Sequence, residues 1–153
     1  MLKSLPRKKE EKEKMATTLL DLYQVAESNG VAVISIDTSV TKSMSLVSEC
    51  DSYYIGINPM MLNTDIEEKI NLAHELGHCM TGSFYNRYSK LDIRTKHERR
   101  ADKWAINKLV PKDELEKAVK SGRESRYELA EYFNVTEDFM QKALDYYRDN
   151  IVV

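Results

Sequence analysis

Two periodicities divide the chain. Over residues 6–28, Leu19, Leu22, Tyr23 and Ala26 recur at three- and four-residue spacing, which predicts a helix with one buried stripe. In its first half Glu10 and Lys14, or Lys9 and Glu13, pair one turn apart, so residues 1–14 read as a solvated, frayed end. Asn29-Gly30 stops this helix. A period of two then takes over. Residues 31–36, 43–49 and 53–57 are β-branched, aromatic or alternating, and predict three short strands. Cys50-Asp51-Ser52 supplies a turn, so the last two form a hairpin, and Asn58-Pro59 ends the sheet because proline cannot donate to a ladder.

Helical spacing returns at Thr64. Thr64-Asp65-Ile66-Glu67 reads as a capping box, Thr64 accepting and Glu67 reaching back. Ile66, Ile70, Ala73, Gly77 and Met80 share one face, and Thr81-Gly82 ends the helix. A mid-helix glycine costs about 1 kcal/mol relative to alanine, so Gly77 predicts close packing against a neighbouring helix. Residues 83–96 are polar, carry tyrosines and show no period. At 14 residues this is long for a connection, and such stretches are often functional. A further helix is predicted over residues 96–109, with Pro111 barring its extension. Ser125-Arg126-Tyr127-Glu128 is a second capping box and opens a short helix; residues 137–147 form the last. Residues 121–150 thus read as a C-terminal helix pair. With no repeat or boundary, the expectation is a single domain over residues 1–153. Its class is α+β, mainly helical, with a small three-stranded sheet ahead of the central helix.

Composition narrows the function classes. The 153 residues are 42% apolar and 31% charged, an ordinary globular mix. The net charge of −2 lacks the footprint of a nucleic-acid binder and disfavours direct nucleic-acid contact. The last helix agrees, since Glu137, Asp138 and Asp145 oppose Lys142 and Arg148 and do not suit a phosphate-facing element. No run approaches the roughly 18 apolar residues of a membrane span, and the N-terminus has no apolar signal region. The chain is therefore expected to be cytoplasmic, with Cys50 and Cys79 reduced. Cys79 points about 100° away from His78 on a helix and reads as a small packed residue.

The chemistry lies in His74-Glu75-Leu76-Gly77-His78. Residues four apart on a helix lie about 40° apart and one turn distant, so His74 and His78 can grip one metal ion. Glu75 can lean toward a metal-bound water without being a ligand. Zinc lowers the pKa of such a water from 15.7 to roughly 7, and Glu75 would act as general base. A catalytic zinc usually takes three protein ligands. A third histidine six residues after His78 is ruled out, because Phe84 stands there. Glu98 and Asp102 are four apart on a face that Ala105 and Leu109 continue inward, and buried carboxylates need a reason. Glu98 is the natural third ligand and Asp102 an acceptor fixing a histidine tautomer. His97 competes with Glu98 as ligand. Tyr85, Tyr88 and His97 are candidates for oxyanion or substrate contacts.

These landmarks resemble the ImmA/IrrE family of metallopeptidases. The matching segments are Tyr54-Ile55-Gly56-Ile57-Asn58 ahead of the histidine motif, Glu98-Arg99-Arg100-Ala101-Asp102-Lys103-Trp104-Ala105 after it, Leu109-Val110-Pro111, and residues 127–135. Val110 and Trp104 depart from the methionine and phenylalanine common in that family. The resemblance implies a zincin-like fold and one zinc ion on His74, His78 and Glu98, with Glu75 as base. It also implies an intracellular partner, a helix-turn-helix repressor of a phage or mobile element, inactivated by cleavage. The alternative is a non-catalytic zinc-binding module that sequesters that repressor, against which the intact Glu75 argues.

Overall fold

The computed structural model describes residues 16–86 and 88–151. Helix α1 (Leu19–Ser28) begins at a capping box in which the Thr18 hydroxyl accepts from Asp21 N–H and the Asp21 carboxylate accepts from Thr18 N–H. That cap ends the helix's N-terminal extent at Leu19, so it does not run back through residues 16–18; residues 6–15 of the expected helix lie outside the described residues. Leu22 and Ala26 are buried, with Leu19 and Tyr23 packed beside them.

Strands β1 (Ala32–Ser35), β2 (Ser43–Val47) and β3 (Tyr53–Ile57) form a sheet of order β1-β3-β2. β3 is central, parallel to β1 and antiparallel to β2, with Ser45 opposite Ile55. The hairpin turns through Asp51 at φ 56°, a left-handed conformation that aspartate tolerates. β2 is left as an edge strand.

Helix α2 (Asp65–Thr81) starts at Thr64, whose hydroxyl accepts from Glu67 N–H. Only half of the expected box forms, because the Glu67 carboxylate reaches past Thr64 to Asn63 N–H. The buried arc also differs from the expected stripe. Lys69, Leu72, Leu76 and Cys79 join Ala73 and Gly77 inside, while Ile66 and Ile70 are half-buried and Met80 is exposed. The cause is that α2 packs against the sheet on one side and a helix on the other, so more than one stripe is covered.

That helix, α3 (Leu91–Leu109), begins five residues earlier than expected, and the connection shrinks to residues 83–90. Its first turn gave no signal because Leu91 and Ile93 face solvent and Lys90 makes no side-chain cap. Helix α4 (Lys112–Lys120) was not anticipated at all. Pro111, which closes α3, also serves as its N-cap. Asp113 and Glu114 in the first turn and Lys117 and Lys120 in the last complement the helix dipole. Helices α5 (Arg126–Phe133) and α6 (Glu137–Ile151) complete the chain. The Tyr147 hydroxyl of α6 donates to the Val110 carbonyl at 2.6 Å and ties the last helix to the end of α3. The architecture is α+β, mainly helical with the small sheet ahead of α2, as the sequence pattern requires. No helix among the described residues is long and apolar enough to cross a membrane.

Candidate metal centre

The site is made where α2 and α3 touch. A Cβ on Gly77 would lie 2.5 Å from the Ala101 carbonyl oxygen and 2.8 Å from its Cα. The glycine therefore lets the backbone of α3 rest on α2. This close approach sets Glu98 and Asp102, on either side of Ala101, opposite His74 and His78.

The geometry that results is compact. His74 Nε2 and His78 Nε2 are 3.2 Å apart. Glu98 places Oε2 3.0 Å from His74 Nε2 and Oε1 3.2 Å from His78 Nε2. Tetrahedral zinc with bonds of about 2.0–2.1 Å requires ligand–ligand edges of about 3.3 Å, near the 3.2 Å between the two imidazole nitrogens, and Glu98 offers a different oxygen to each of them. The far nitrogens are already occupied. His74 Nδ1 lies 2.9 Å from Asp102 Oδ1, and His78 Nδ1 lies 2.6 Å from the Ser83 carbonyl. Each Nδ1–H has an acceptor, so each Nε2 turns a lone pair toward the other and toward a carboxylate. A cation resolves that arrangement, and the residues present fit one. Burial pulls the His74 pKa down, but the Asp102 hydrogen bond and the charges of Asp102, Glu75 and Glu98 outweigh it and hold it above its ordinary value. A proton therefore competes with any ion for this imidazole.

Glu75 is buried beside the histidines and accepts from the Ser43 hydroxyl of β2 at 2.7 Å. A cleft of about 260 Å³ opens over these groups, walled by residues 43–46 of the edge strand and by Phe84, Tyr85 and Glu98. The Tyr85 hydroxyl donates to Glu98 Oε1 at 2.7 Å, a bond that with burial raises its pKa to about 12. His97 is not part of the cluster. It stacks behind Tyr85 with ring centroids 6.3 Å apart, and its buried Nδ1 has no hydrogen-bond partner among the described residues. Tyr88 is exposed and does not line the cleft. Cys79 packs in the core, where burial pushes its thiol up to about 12 and keeps it unreactive.

Three contacting residues escaped the sequence reading. Ser83 had a legible signal, because Gly82 adopts the left-handed cap conformation (φ 62°) that turns the next residue back onto the last helical turn. Ser43 and Lys142, whose ammonium lies 3.0 Å from Asp102 Oδ1, had none, since both reach the site through tertiary packing.

The fold is similar to that of a Mycobacterium tuberculosis transcriptional regulator, with a TM-score of 0.60 at 14% identity. The match covers 80% of this chain and 38% of that one, and at this identity it speaks to the fold alone. No curated protein matches the sequence. The family model of the IrrE N-terminal-like domain, Peptidase_M78, matches residues 26–145, a span that holds every side chain of the cluster and its supports. By that match over most of its length, the chain belongs to the Peptidase_M78 family, that of the IrrE N-terminal-like domain.

Proposed function

We propose that the protein is a zinc-dependent endopeptidase that cuts a protein partner, a helix-turn-helix repressor of a phage or mobile element. The observation that carries the chemistry is the convergence of His74, His78 and Glu98, one ligand atom from each within 4.8 Å of the others, beside a buried, hydrogen-bonded Glu75. One zinc ion held there would supply Lewis acidity to a carbonyl and bring a water's pKa to roughly 7. The protein's own groups do the rest. The Ser43 hydroxyl on Oε1 of Glu75 leaves Oε2 to take a proton from water and then deliver it to the leaving amine. Asp102 and the Ser83 carbonyl hold the two imidazoles in the tautomer that keeps Nε2 free. Tyr85, which lines the cleft and stays protonated far past neutrality, is the donor for the developing oxyanion. The open edge of β2 along the cleft suits an extended peptide, which can add to it as a further strand. Family membership supports a repressor as that peptide's source, met in the cytoplasm.

The test pairs zinc-loaded protein with a helix-turn-helix repressor, taken from the neighbouring gene where one is found there, using Glu75→Gln as control. Cleavage by the wild type and a loss of about 10²–10⁴-fold in the variant are expected. Equal cleavage by both would remove Glu75 from the mechanism. A stable complex cut by neither would move the protein to the sequestering class.

A further inference from the structure

We infer that Lys142, on the last helix, is a positioning residue of the metal centre and acts through Asp102 on His74. The inference rests on the reading of His74, His78 and Glu98 as ligands. Asp102 Oδ1 accepts two bonds, from His74 Nδ1 at 2.9 Å and from Lys142 Nζ at 3.0 Å. Both donors fall on the same oxygen, so the carboxylate cannot rotate without breaking both.

Lys142 is placed for this task by the core. Met140 and Ala143 on either side of it are fully buried, and Tyr147 anchors α6 to the end of α3. Along its own helix Asp138 lies four residues before it, while Asp145, three after, is bonded by Gln141 and Arg148. The ammonium instead crosses to a residue 40 positions away. A half-exposed ion pair adds little to folding stability, so orientation is the effect left to it. Without the lysine, Asp102 keeps one partner and can swing toward water. His74 then loses its fixed acceptor at Nδ1, and its proton can move to Nε2, the atom that faces the ion. The C-terminal helix pair thereby becomes part of the metal site, and whatever lifts α6 unlocks His74.

The experiment measures zinc affinity of the full chain by competition with a chromophoric chelator, for the wild type, Lys142→Met, Lys142→Arg, Asp102→Asn and the Lys142→Met/Asp102→Asn double variant. Affinity about tenfold weaker is expected for Lys142→Met, the lower end of what outer partners of metal ligands contribute. Arginine should restore it to within about threefold, and Lys142→Met should add nothing once Asp102 is asparagine. The melting temperature of the zinc-free protein should shift by less than about 2 °C. Wild-type affinity in Lys142→Met, an arginine variant as weak as the methionine one, or losses that multiply in full in the double variant would each overturn the inference. A wild type that binds no zinc would instead remove the metal reading on which it stands.

Discussion

The two ends of α2 bury polar groups in opposite ways. Near its start, Lys69 is 1% exposed and feels only the distant charge of Asp21; its ammonium donates to the carbonyls of Thr17 and Phe133 at 3.1 and 3.3 Å. Burial pushes its pKa down to about 8. Five residues on, His74 and His78 turn lone pairs toward each other and toward a carboxylate. The lysine finds its hydrogen bonds within the chain and pins α2 to the N-terminal segment and to α5. The histidines are satisfied at Nδ1 and left open at Nε2. Burial of charge is common to both ends, and only the second is arranged for something the chain does not supply.

Changing either end should expose this contrast. The largest effect belongs to His78→Ala, which should weaken zinc binding by on the order of 10³-fold. In the zinc-free protein the same change should cost about 1–3 kcal/mol, for the buried ring and its bond to the Ser83 carbonyl, since the open Nε2 contributes nothing to folding. A larger loss without zinc would make the histidine end structural, like the lysine end. Next is Gly77→Ala, which drives a methyl into the Ala101 backbone and should destabilise the fold by roughly 2 kcal/mol despite alanine's better helix propensity. By parting α2 from α3 it should also weaken zinc binding, whereas an intact affinity would show that Glu98 follows the histidines by itself.

Lys69→Met leaves two carbonyls unpaired but removes a buried charge, so the net cost at pH 7 should be about 1 kcal/mol, with zinc affinity untouched. The sign with pH sharpens the point. The native pKa of about 8 lies below the ordinary 10.5, so the unfolded chain binds the extra proton between these values. Wild-type stability should therefore rise relative to Lys69→Met as pH climbs from about 8 to 10.5, read from urea midpoints. A flat difference would mean the amine is not desolvated. The smallest and most general effect is at the other end. Because the His74 pKa is raised, zinc binding should begin to weaken on acidification above pH 6.5, as a chelator competition series would register.

What the sequence made legible follows from range. The α+β class, the hairpin, the Thr64 and Gly82 ends of α2 and the close contact at Gly77 are written in residues within a few positions of one another. The inward pairing of Glu98 with Asp102 was legible because two acids one turn apart share a face with Ala105 and Leu109. The start of α3 was not, because its first turn packs on nothing that a stripe could reveal. Helix α4 was hidden behind Pro111, read as a stop when it is equally a start. Ser43 and Lys142 reach the site across 32 and 40 positions, and no local pattern reports such a distance.

The end of α2 carries one more consequence. Ser83 gives its N–H to the His78 carbonyl and takes the His78 ring N–H on its own carbonyl, so the terminal turn is a clasp closed on a single histidine. Helix ends ordinarily fray at no expense to what lies inside. Here fraying would free a ring that faces the ion, and an ion on that ring would in turn hold the clasp shut. Hydrogen exchange at the Gly82 and Ser83 amides should slow on metal loading, making two backbone protons outside the site the reporters of its occupancy.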